Sequence, residues 1–128
     1  MSLACVENVQ DRYIYQGQTV IFRMTIVNDQ GDPYDLSADG GTTLYYYIKK
    51  TIDDVTVLVD LSTGTGIIHE PQIGETMGQA LITVSSTVTS TMDNIFYVHQ
   101  AWAEKSDGEK IPLFPVSKFI VRTAVSAP

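Results

Sequence analysis

Apolar and polar residues alternate most cleanly over Thr19–Val27. There Val20, Phe22, Met24 and Ile26 fall on one side, and Thr19, Ile21, Arg23, Thr25 and Val27 on the other. A period of two over that length marks a strand, and the first set is the expected core face. The alternation returns over Thr43–Lys49, with Leu44, Tyr46 and Ile48 opposite Tyr45, Tyr47 and Lys49. It returns again over Gln79–Ser85, with Ala80, Ile82 and Val84 opposite Leu81 and Thr83. In Ile95–Val121 two strand-like runs flank Asp107-Gly108, a strong hairpin signal because Gly takes a positive φ without a Cβ clash and Asp tolerates it. On the first run Tyr97, His99, Ala101 and Ala103 share one face, and Phe96, Val98, Gln100 and Trp102 the other; on the second, Phe119 and Val121 face inward. Pro112 and Pro115 have no N–H to donate, so the second run is bulged or lies at an edge before Val116.

Shorter runs fill the gaps. Val9–Tyr15 reads as a first strand after a lead-in over Met1–Gln10, Val55–Leu61 as a β-branched strand, and Ile67-Ile68 as a short one. Gln16-Gly17-Gln18, Asn28–Pro33, Gly40-Gly41, Asp53-Asp54, Gly64-Thr65-Gly66 and the Glu70–Gly78 loop punctuate them, and Leu36 is expected to fold back onto the core. Ser86–Asn94 is rich in Ser and Thr; it holds at most one helical turn, capped by Ser86 or Thr89, in a crossover between two sheets. The whole predicts an all-β sandwich or barrel of about seven or eight short antiparallel strands.

Composition narrows the picture. A chain of 128 residues is one ordinary domain, with an expected ordered core of about 9–123, and 44% apolar residues are enough to bury one core. The formal charge of −7 argues against nucleic acid and anionic membrane surfaces as partners, since both need a basic face. The single cysteine, Cys5, lies in the lead-in and excludes an intramolecular disulfide. No run reaches the ~18 apolar residues of a membrane helix, and the N-terminal residues show neither the basic nor the apolar region of a signal peptide.

Candidate chemistry is sparse. His69 and His99 are the only histidines, and a metal site with Cys5 would draw on three distant segments; His99 reads instead as a packed histidine beside Tyr97. Asp29, Asp32 and Asp35 lack the spacing of an EF-hand and read as a solvated turn capped by its own side chains. There is no Gly-X-Ser-X-Gly elbow, and Gly64-Thr65-Gly66 opens no helix. No catalytic, cofactor-binding or metal-binding residue is therefore expected, and no enzyme. Trp102 and Phe96 point away from the Tyr97 face and, with Tyr45 and Tyr47 on the same sheet, form a candidate interaction surface. In the reversed register Trp102 is instead the buried tryptophan of the sandwich. Tyr97 is a candidate for a tyrosine corner at a sheet crossover.

Several stretches resemble the N-terminal immunoglobulin-like domain of phage baseplate upper proteins and related phage structural proteins. They are Gly17-Gln18-Thr19-Val20 with Phe22-Arg23-Met24, the turn Asp29–Ser37, the strand Tyr45-Tyr46-Tyr47-Ile48-Lys49-Lys50, and the closing set Phe96-Tyr97, Asp107-Gly108 and Ser117-Lys118-Phe119-Ile120-Val121. The resemblance covers roughly Gln16–Val121 and departs at Asp60–Gly78, which is longer and more irregular. It implies an immunoglobulin-like two-sheet β-sandwich. It also implies a structural protein of a virion (tail, baseplate or head) made in the host cytoplasm, whose partners are other virion proteins or further copies of itself. The alternative is a carbohydrate-binding β-sandwich that uses Trp102, Tyr45 and Tyr47 as a stacking platform.

Overall fold

The computed structural model describes residues 3–5, 11–92 and 96–122. Ten strands run through these residues. They are β1 (Ala4–Cys5), β2 (Arg12–Tyr15), β3 (Val20–Val27), β4 (Thr42–Lys49), β5 (Val59–Thr63), β6 (Gly66–His69), β7 (Gln79–Val84), β8 (Phe96–Lys105), β9 (Lys110–Pro112) and β10 (Ser117–Arg122). One hydrogen-bonded path links them in the order β1-β3-β7-β6-β5-β4-β8-β10-β2, with β9 beside β8. The path doubles back on itself. One layer is β1-β3-β7-β6 and the other is β5-β4-β8-β10-β2. The chain passes between them at a corner where Ser62 and Thr65 exchange backbone hydrogen bonds and Gly64 takes a φ of 88°.

This is the immunoglobulin arrangement, an ABED sheet over a C′CFG sheet, with the first strand divided so that β1 pairs β3 while β2 pairs β10. The expected fold class holds, with two corrections. There are ten described strands, and they are not all antiparallel, because β2 runs parallel to β10 and the short β5–β6 ladder is also parallel. β2 is a separate strand feeding a different layer from β1, so its direction is free to match β10.

The alternation read from sequence is what fills the interior. Val20, Phe22, Met24 and Ile26 of β3, Ala80, Ile82 and Val84 of β7, Leu44, Tyr46 and Ile48 of β4, Tyr97, His99, Ala101 and Ala103 of β8, and Phe119 and Val121 of β10 are all buried, as is Leu36. Some boundaries and one cap differ. The expected strand Val55–Leu61 begins only at Val59; Val55 is 95% exposed, and the chain is still turning at Asp54, whose N–H reaches the Thr51 carbonyl. The tail carries a two-residue strand, β1, which pairs Ala4 with Val27 and Cys5 with Ile26. The crossover turn α1 (Ser86–Thr89) is capped by Ser85, whose hydroxyl accepts the Val88 N–H, and not by Ser86 or Thr89; Thr89 is buried, and its hydroxyl donates to the Gln18 carbonyl at 2.7 Å. Val9-Gln10 of the expected first strand and Asp93-Asn94 of the crossover lie outside the described residues.

The two prolines act as expected. The Asp107-Gly108 turn joins β8 to the three-residue β9; after Pro112 the chain leaves the ladder and returns as β10, which pairs β8 from Ser117↔His99 to Ile120↔Phe96. Strand β8 therefore has β9 beside one half and β10 beside the other.

Antibody-type domains fill the centre of this fold with a disulfide between the second and sixth strands, packed on a tryptophan of the third. With one cysteine in the chain, that solution is closed. Tyr46 takes the central place instead. Phe22 of the opposite layer meets its ring edge-on at 5.4 Å, His99 of the neighbouring strand meets it at 5.6 Å, and its hydroxyl lies 2.8 Å from His99 Nδ1. Phe114 and Phe119 close around the imidazole at 5.2 and 5.5 Å. Burial pushes the Tyr46 phenol far above its ordinary value, so it stays neutral, and the imidazole tautomer sets which of the two groups donates. At the open seam between β2 and β3 the Arg12 guanidinium lies 4.3 Å from the Phe22 ring centre.

Candidate interaction surface

The outer face of the β5-β4-β8-β10-β2 layer carries the residues that alternate with the core. Strand pairing places them in rows. Tyr45 lies beside Ser62 on one side and Trp102 on the other, and Trp102 is in turn beside Pro112. Tyr47 lies between Asp60 and Gln100, and Lys49 pairs with Val98, which pairs with Lys118. Cross-strand neighbours on one face touch at Cβ, so three aromatic side chains drawn from two strands are forced together.

Tyr45, Tyr47 and Trp102 line one concave groove of about 610 Å³, together with Val98, Gln100, Lys49, Ile52, Val116 and Lys110. The Tyr45 and Tyr47 rings stack at 6.2 Å and 17°. The Tyr45 hydroxyl donates to Glu104 Oε1 at 2.9 Å, which raises its phenol. Partial burial raises that of Tyr47, with the Asp60 and Glu104 charges adding to the effect. Gln100 is held by its side-chain amide, which donates to the Phe114 carbonyl at 3.0 Å. The groove is therefore floored by side chains that their own neighbours fix.

Trp102 faces outward and is half-buried, so the reversed register does not occur; the core aromatic is Tyr46. Phe96 is on the same outer face but does not line the groove. It is 67% exposed, next to Ile120, and separated from Trp102 by the Val98 and Gln100 positions. Alternation puts all four residues on one face; only the pairing register tells which of them meet. Lys49, which alternation puts on the same face as Tyr45 and Tyr47, also lines the groove, as does Lys110; Lys110 had no signal in the sequence because its position depends on where the chain resumes pairing after the Asp107-Gly108 turn.

His99 packs inside and faces away from this surface. His69 is half-buried at the corner between the layers, with Nε2 3.0 Å from the Thr63 hydroxyl; that oxygen also accepts the Leu44 N–H at 2.8 Å. Burial lowers its pKa. In the acidic turn the caps are Asn28, which accepts the Gln30 and Asp32 N–H groups, and Asp35, which accepts from Ser37. Among the described residues no three His, Cys, Asp or Glu side chains converge.

No family model matches the chain, and no curated protein matches it either. Solved structures do. CopC from Methylosinus trichosporium OB3b superposes with a TM-score of 0.54 at 9% identity, over 98% of this chain and 99% of that one. The N-terminal Ig1-2 module of Drosophila receptor protein tyrosine phosphatase DLAR superposes with a TM-score of 0.51 at 13% identity, over all of this chain and 53% of that module. At such identities the likeness is one of fold alone: an immunoglobulin-like β-sandwich.

Proposed function

We propose that the chain is a non-enzymatic structural component of a phage or prophage virion, in tail, baseplate or head, that works by protein–protein contact through the outer face of the β5-β4-β8-β10-β2 layer. The observation that carries the contact is the gathering of Tyr45, Tyr47 and Trp102 into one groove. Tyrosine and tryptophan bury large area at low entropic cost and anchor protein interfaces. The virion assignment rests on the turn-and-strand resemblance over Gln16–Val121.

The glycan reading uses the same groove. It is the second reading because the Tyr45 and Tyr47 rings already stack on each other at 6.2 Å. The chain has one tryptophan, so its fluorescence reports on this groove alone. Size-exclusion chromatography with light scattering, run on the wild type alone and with the products of neighbouring genes, tests the proposal. Assembly that Trp102→Ala together with Tyr47→Ala abolishes, beside genes for portal, tape-measure or capsid proteins, is the expected result. A chain that stays monomeric with every neighbour, and whose tryptophan emission shifts on adding oligosaccharides, would overturn it in favour of a glycan-binding module.

A further inference from the structure

We infer that the groove takes an extended, acidic segment of a partner protein, laid along β8 with apolar side chains between two carboxylates. The inference rests on the contact face just proposed and adds the chemistry of what occupies it.

Shape comes first. The groove is concave, so a second copy of the same face would meet it hollow to hollow and leave an unfilled gap, against the close packing of real interfaces. Something inserted fits better. The floor is formed mainly by two neighbouring strands, β4 and β8, whose axes lie about 5 Å apart. An extended chain running along β8 meets the side chains of the groove in turn, and a volume of about 610 Å³ holds only a short stretch of it.

Charge comes second. The protein carries −7, yet among the described residues the side chains with a full charge that line the groove are Lys49 and Lys110. They stand at its two ends. Lys49 pairs with Val98 and Lys110 with Glu104, six residues apart on β8, so about 20 Å separates them. The acids of this face are at the rim. Glu104 accepts the Tyr45 hydroxyl and is the cross-strand neighbour of Lys110, Asp60 is beside Tyr47, and Asp11 accepts the Lys118 N–H. Neither groove lysine is in a salt bridge among the described residues. Screening over about 8 Å at physiological salt leaves the two lysines as the charges in direct contact with a bound segment, with Glu104 and Asp60 flanking them. Carboxylates about six residues apart in an extended chain reach both, with the residues between them over Trp102, Gln100 and Tyr47.

The test uses a ten-residue synthetic peptide with glutamates at its second and eighth positions and leucine, proline and tyrosine between them. Its twin has lysines in place of the glutamates. The whole protein, labelled with nitrogen-15, is titrated with each. The expected result is shifts confined to the Trp102 indole and the Val98, Gln100 and Tyr47 amides with the acidic peptide only, weakened at least tenfold by Lys49→Glu with Lys110→Glu and by raised salt. Equal binding of the lysine twin, shifts on another face, an unaffected charge-reversed variant, or no binding would each overturn the inference. If no peptide binds but the aromatic variants still abolish assembly, the contact face stands and only its acidic occupant falls. If the peptide binds and assembly ignores the aromatic variants, the virion contact is what fails.

Discussion

Tyr46→Phe removes one oxygen from the centre of the sandwich and leaves the ring, its edge contact with Phe22 and the backbone in place. The change therefore isolates the 2.8 Å hydrogen bond to His99 Nδ1. Losing the bond costs ~1 kcal/mol net, and leaving a buried ring nitrogen without its partner raises the cost to ~1–3 kcal/mol. No cavity forms, so the several kcal/mol of a large-to-small core substitution do not apply. For a domain of this size each kcal/mol moves Tm by roughly 3–5 °C, so a fall of about 3–15 °C is expected in a calorimetric scan. The partner change sharpens the test. His99→Leu strands the Tyr46 hydroxyl in turn, and Tyr46→Phe made in that background should cost nothing or restore stability, giving a coupling of about 1–2 kcal/mol in urea unfolding. Nitrogen-15 shifts of the imidazole should move at Nδ1 when Tyr46→Phe removes the phenol oxygen. The reasoning fails if Tyr46→Phe lies within about 0.5 kcal/mol of the wild type, or if its cost is the same with and without His99.

Gly78→Ala and Gly64→Ala form a matched pair. Both glycines have positive φ (81° and 88°), but a Cβ at Gly78 would come 2.6 Å from the Ile26 carbonyl oxygen while one at Gly64 meets nothing within 4 Å. Gly64→Ala should cost the ~1–2 kcal/mol of left-handed backbone, and Gly78→Ala clearly more, in urea unfolding. Gln72→Ala should cost about 2 kcal/mol, because its side-chain oxygen accepts the Leu36 and Gly78 N–H groups and its amide donates to the Glu70 carbonyl; thermal melts of the variant check this. His69 gives a pH dependence of known sign. Its folded pKa is lowered by burial, so below the unfolded value of about 6.5 the unfolded chain takes up the proton first. Its stabilising contribution is therefore full above about pH 6.5 and is lost as pH falls through that value toward the folded one. Unfolding free energy measured between pH 8 and pH 5 should drop less steeply for His69→Gln than for the wild type.

The inner face of every long strand was legible because burial on one side imposes a period of two, and Val20–Ile26, Leu44–Ile48, Ala80–Val84 and Tyr97–Ala103 all keep it. What stayed hidden depends on register and on breaks in pairing. Val55–Leu61 has strand composition but lies between a turn at Asp54 and the corner at Gly64, so its first half has no neighbour to pair with, and propensity without a partner makes no strand. The outer face was legible as a list and not as a site. Alternation places Phe96, Trp102, Tyr45 and Tyr47 on one side, while the pairing of Tyr45 with Trp102 and of Phe96 with Ile120 puts three of them in a groove and the fourth beyond it.

The absence of a second cysteine was legible too, and it constrains the core more than any motif does. An immunoglobulin sandwich without its disulfide must hold its layers together by packing alone. Here a phenol at the centre hydrogen-bonds an imidazole on the next strand and meets a phenyl ring from the opposite layer. A buried tyrosine is admissible only with a partner for its hydroxyl, and a buried histidine only with one for its nitrogen, so each residue licenses the other. The pairing consumes the inner faces of β4 and β8, and those two strands carry the tyrosines and the tryptophan on their outer faces. The same two strands thus supply the pin of the fold and the floor of the groove. A substitution that loosens Tyr46 or His99 should disturb Tyr45, Tyr47 and Trp102 through the backbone they share, whereas Trp102→Ala should leave the core hydrogen bond intact. Imidazole shifts of His99 in Trp102→Ala, set beside tryptophan emission in Tyr46→Phe, measure that asymmetry directly; equal disturbance in both directions would mean that the groove holds the sheet together and not the reverse.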